Sequence, residues 1–107
     1  MPSLQYINSK LSDVIYTLTI HEGDARKRIA AALPNLKTLN PNTFPSSLAK
    51  EYKWVMETIE TGRSKVMRGM RDDNLPHIQN STASKVIKKI MKIQAEIQVL
   101  LNKELNV

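Results

Sequence analysis

The 107 residues, 41% of them hydrophobic, fit one domain, 1–107, with a real but modest core. The chain has no cysteine, which excludes a disulfide framework, a thiolate metal site and a thiol nucleophile, and suits a reducing compartment. The net charge of +6 resides in one stretch: between Gly62 and Lys92 the cations Arg63, Lys65, Arg68, Arg71, Lys85, Lys88, Lys89 and Lys92 face only Asp72 and Asp73, and the rest of the chain is neutral overall.

Apolar spacing predicts an all-α chain, a small bundle of about four helices closed by a long C-terminal amphipathic helix. The first helix is expected to start after Ser3, a candidate cap, and to bury Leu4, Ile7, Leu11, Val14, Ile15 and Leu18. The β-branched run Val14, Ile15, Thr17, Thr19, Ile20 works against a helix at its end, but the period is closer to 3.6 than to 2. Met1 to Ser9 lack a basic run followed by an apolar core and a cleavage site, so no secretory signal is expected.

His21-Glu22-Gly23-Asp24 reads as the acidic entrance to a second helix, Ala25 to Leu33, which Pro34 is expected to close. Arg26, Lys27 and Arg28 fan around more than one side of it and lie close enough to Glu22 and Asp24 to pair with them. Asn35 to Pro45, with its prolines and asparagines, reads as an ordered connector. A third helix is expected from Pro45-Ser46-Ser47, burying Leu48, Tyr52, Val55 and Ile59 and stopping at Gly62. Trp54 sits off that stripe and reads as a plug in the core or at its edge rather than as a base-stacking or partner-anchoring residue.

Residues 62–79 are the least regular: spaced cations, Gly62 and Gly69, Met67 and Met70, then Asp72-Asp73-Asn74 and Pro76. They read as a loop or a loosely held short helix. Asn80, Ser81 and Thr82 are candidate caps for the last helix, in which Ala83, Val86, Ile90, Ile93, Ile97 and Leu100 recur three and four apart. Ile87, Leu101 and Leu105 widen that seam, while Lys85, Lys88, Lys89 and Lys92 occupy the first half of its outer face.

Glu22-Gly23-Asp24-Ala25-Arg26, Arg28, Phe44-Pro45, Trp54-Val55, Ile78, Asn80, Thr82 and Lys85, in that order, resemble a family of small, uncharacterised helical bacterial proteins. The matches are scattered between Thr19 and Ile90. The sequence departs from that pattern at Arg71 to Pro76 and lacks its glycine after Thr82. The resemblance implies a shared helical scaffold and no activity.

For catalysis the inventory is thin. His21 and His77 have no metal-binding spacing, three glycines make no phosphate loop, and the serines have no paired base. The chain is therefore expected to be non-enzymatic, without metal or cofactor, and cytoplasmic, since no apolar run approaches the ~20 residues of a membrane span. Two binding classes stand open. One is a self-associating bundle that docks an acidic protein partner, with Met67, Met70, Ile87, Met91, Leu101 and Leu105 as an apolar interface. The other is weakly specific nucleic-acid binding, with Arg63, Lys65, Arg68, Arg71, Lys85, Lys88, Lys89 and Lys92 on phosphates. The lysines offer no arginine forks for base reading, and aromatics are scarce for a stacking platform. A membrane-surface role ranks third.

Overall fold

A computed structural model describes the backbone of residues 3–68 and 80–105 and the side chains of residues 3–60 and 81–104. The fold is all-α. Its described helices are α1 (Leu4–Ile20), α2 (Ala25–Lys37), α3 (Ser46–Arg68) and α4 (Asn80–Leu105), with one short 3-10 turn at Pro41–Thr43.

Ser3 starts α1 by accepting the Tyr6 amide on its hydroxyl at 3.2 Å. Ile7, Leu11, Val14 and Leu18 form the buried stripe the spacing predicts. The β-branched end stays helical because Val14 and Leu18 are buried. The Thr17 and Thr19 hydroxyls donate to the Asp13 and Ile15 carbonyls one turn back, at 3.0 and 2.8 Å.

Gly23 turns the chain with a φ of +114°, a conformation that side chains disfavour. Asp24 then caps α2 by accepting the Lys27 amide at 3.1 Å, while Arg26 pairs with its carboxylate at 3.3 Å. Arg28 donates instead to the Gly23 carbonyl, at 3.1 Å.

Contrary to the sequence expectation, α2 does not close at Pro34 but continues to Lys37. Proline inside a helix forfeits a backbone hydrogen bond and costs ~3 kcal/mol. Beyond it, however, Leu36 and Leu39 reach the core, and burying such side chains stabilises by ~1.5–3 kcal/mol each. Tertiary burial outweighs the local break.

The connector is ordered, as expected. Asn40 accepts the Asn42 amide at 2.9 Å and starts the 3-10 turn. Phe44 then stacks on Tyr52 of α3, ring centroids 4.3 Å apart. Leu48, Tyr52, Val55 and Ile59 are buried. Gly62 does not stop α3, a second correction, and residues 62–68, expected to be irregular, continue the helix to Arg68. One glycine in a helix interior costs only ~1 kcal/mol, too little to end an established helix. The remainder of the expected irregular segment lies outside the described residues.

In α4 the seam Ala83, Val86, Ile90, Ile93 and Ile97 is fully buried, and Leu100 is half-buried. Ser81 and Thr82 lie within its first turn rather than ahead of it, since the helix begins at Asn80. The seam packs against α1, α2 and α3. Gln94 adds a polar clasp by donating to Asn8 and Ser12 of α1 at 3.3 and 3.4 Å. No charged residue is buried among the described residues. None of their helices is long and apolar enough to cross a membrane.

Candidate functional site

Two helices with known buried stripes leave their flanks facing each other across a groove. On α3 the flank beside Leu48, Tyr52 and Val55 carries Lys50, Glu51 and Trp54; on α4 the flank beside Val86, Ile90 and Ile93 carries Lys85, Lys88, Lys89 and Lys92. These seven side chains line an open cleft of about 550 Å³. Glu51 meets Lys92 and Trp54 meets Lys89, so α3 and α4 run antiparallel here.

Glu51 is the single carboxylate among five lysines. It accepts from the Lys92 ammonium at 3.2 Å and from that of Lys89 at 3.4 Å. Partial burial works to raise the Glu51 carboxyl, but the hydrogen bonds and positive charges of Lys92 and Lys89 outweigh it and hold the group below the ordinary carboxylate value. Lys92 is largely exposed, so these pairs contribute ~1 kcal/mol or less to stability. Their structural effect is to fix one wall of the cleft.

Lys89 also lies 6.0 Å from the centroid of the Trp54 ring, within cation–π range. Trp54 itself is 41% exposed, so the plug the sequence suggested sits at the edge of the core, where the indole lines the cleft. Among the described residues, Lys50, Lys85 and Lys88 have no acidic partner. The cleft therefore presents excess positive charge beside a part-exposed indole that carries the Lys89 ammonium over its ring. It suits an anion, and its described residues include no paired nucleophile and base.

Four of the eight cations singled out from sequence, Lys85, Lys88, Lys89 and Lys92, come together in this cleft. Arg63, Lys65 and Arg68 belong to the C-terminal part of α3, with side chains outside the described set, and Arg71 lies outside the described residues. Lys50, Glu51 and Trp54 were not among the candidates. Their spacing, with Glu51 three before Trp54 and Lys50 four before it, places them on one helix flank, but only packing shows which helix that flank faces.

Of the expected apolar interface, Ile87 and Leu101 pack against the chain's own core, while Met91 is 47% exposed. The side chains of Met67 and Leu105, and all of Met70, lie outside the described residues. His21 follows α1 as its C-cap, exposed, and His77 lies outside the described residues. Among the described residues no three His, Asp or Glu side chains cluster as metal ligands would. Farther along the α3/α4 groove, Ser47, Leu48, Glu96, Val99 and Leu100 line a smaller hollow of about 230 Å³.

Comparison of the chain with protein-family models, with curated proteins and with solved structures finds no match.

Proposed function

We propose that this chain is a non-enzymatic, cytoplasmic binding protein that holds an acidic macromolecular partner in the cleft between α3 and α4. One observation carries the reading: five lysines converge on a cleft with a single carboxylate, and three of them, Lys50, Lys85 and Lys88, have no acidic partner among the described residues. Like charges from two helices repel one another, and a polyanion relieves that repulsion while releasing its own counterions. The resemblance to small helical bacterial proteins adds a scaffold to this proposal and no activity.

Self-association has weaker support. Ile87 and Leu101, which widened the apolar face of α4, are occupied by the core, and the exposed Met91 and Val99 are single side chains of the kind any surface carries.

The test is fluorescence anisotropy of labelled polyanions against the intact protein across a salt series. The logarithm of affinity should fall linearly with the logarithm of salt concentration. Replacing Lys85 and Lys88 together by glutamine should lower that slope by about 2, one per lost phosphate-type contact. An unchanged slope in the double variant would place the binding elsewhere and defeat the proposal.

A further inference from the structure

Building on the cleft as the binding surface, we propose that its occupant is a single-stranded nucleic acid, one base of which stacks on Trp54 while adjacent phosphates engage Lys85, Lys88 and Lys50. The lining decides between the two acidic partners. Six of its seven side chains are charged and the seventh is an indole. An acidic helix docking in a groove needs a row of separate apolar pockets for anchors at i, i+3, i+4 and i+7, whereas the apolar surface of this cleft comes from lysine stems and one indole among the described residues.

A nucleotide unit is both anionic and planar aromatic, which is the combination the lining offers. Every base has a π-face, so stacking on one tryptophan is tolerant of sequence. The lysines add compact charges that take phosphate oxygens from any direction. The Lys89 ammonium lies over the ring, 6.0 Å from its centroid, so a base stacks on the part of the indole that this cation leaves open. A duplex presents phosphates but keeps its base faces within the stack, so it meets the lysines and not the indole. With Lys89 and Lys92 already held by Glu51, Lys85, Lys88 and Lys50, which have no acidic partner among the described residues, are the charges left for phosphate.

Trp54 is the only tryptophan of the chain, so its emission reports on this site alone. The experiment titrates the intact protein at low salt with an oligo-dT strand, an abasic strand of equal length, a duplex and polyglutamate. Emission is read together with the anisotropy of labelled strands. Oligo-dT should quench the emission and bind about tenfold more tightly than the abasic strand. The duplex and polyglutamate should bind without quenching.

Trp54→Ala should remove that tenfold preference and leave abasic binding unchanged; Trp54→Phe, which keeps an aromatic face, should retain most of it. Because Trp54 is part-exposed, thermal melts of both variants should stay near that of the parent, which separates stacking from unfolding. Equal affinity for dT and abasic strands, or tighter unquenched binding of duplex or polyglutamate, would overturn this inference and leave the broader anion-binding proposal standing. No polyanion binding at ~50 mM salt, or binding indifferent to Lys85→Gln and Lys88→Gln, would overturn both.

Discussion

The Tyr52 hydroxyl donates a buried 2.6 Å hydrogen bond to the Leu36 carbonyl, joining the second turn of α3 to the end of α2. A carbonyl in the last turn of a helix has no helical donor, and here a side chain from another element supplies one. Tyr52→Phe keeps the ring and its stack on Phe44 but removes the donor. Leu36 still accepts from the Leu39 amide, so the expected loss is ~1 kcal/mol, read as a lower midpoint in urea with an unchanged slope. A change below ~0.3 kcal/mol would show that the bond contributes nothing net.

Burial also pushes the Tyr52 phenol well above its ordinary value of 10.0. A group whose folded value is raised supports stability below its unfolded value and loses that contribution as pH rises through the folded one. Stability should therefore decline above pH ~10 more steeply in the parent than in Tyr52→Phe. Parallel alkaline unfolding curves would contradict the assignment.

Glu51 should behave in the opposite sense. Its folded value is lowered, so its contribution is present above the unfolded value of 4.5 and lost as pH falls through the folded one. Glu51→Gln should cost ~1 kcal/mol or less at neutral pH and flatten the acid limb of the stability curve. The same change removes the one carboxylate among the cleft's described residues, so its affinity for polyanions should rise. Titration by anisotropy checks the second part, and a loss of affinity would mean that Glu51 positions Lys89 and Lys92 for the ligand.

Pro34→Ala restores an amide that can bond the Ala30 carbonyl within α2. Part of the gain is offset by the freer unfolded chain, so a net stabilisation of ~1–2 kcal/mol is expected. Thermal unfolding measures it, at roughly 4–8 °C per kcal/mol for a domain near this size. A destabilised variant would show that the exposed proline ring is needed where α2 ends.

Gly23→Ala should destabilise by ~1–2 kcal/mol, because alanine is strained at a φ of +114°. The new methyl would also come within 2.7 Å of the Lys27 Cδ atom, but that side chain is flexible and can move. Lys27→Ala in the same background should therefore rescue little. Full rescue would locate the cost in the side chain and not in the backbone.

The sequence and the structure agree where a single helix carries the signal. The stripes of Ile7 to Leu18, Leu48 to Ile59 and Ala83 to Ile97 are periodic, and so is the lysine row of α4, because one helix fixes the relative positions of its own residues. The caps Ser3 and Asp24 are legible for the same reason. Pro34 and Gly62 mislead because their local penalties are set against burial contributed by distant residues, which no local pattern displays. Glu51 escapes notice, and Trp54 reads only as a plug, because their meaning in the cleft depends on Lys89 and Lys92, about forty positions away in the chain.

The groove between α3 and α4 also has two unlike ends. Lysines line it from Lys85 to Lys92, about 10 Å of helix, and one turn later Glu96 faces the smaller hollow beside Val99 and Leu100. A negatively charged chain lying along it is welcomed at one end and repelled at the other. The groove thus has a fixed direction and a short footprint, and lengthening an oligonucleotide beyond that footprint should leave the affinity per site unchanged.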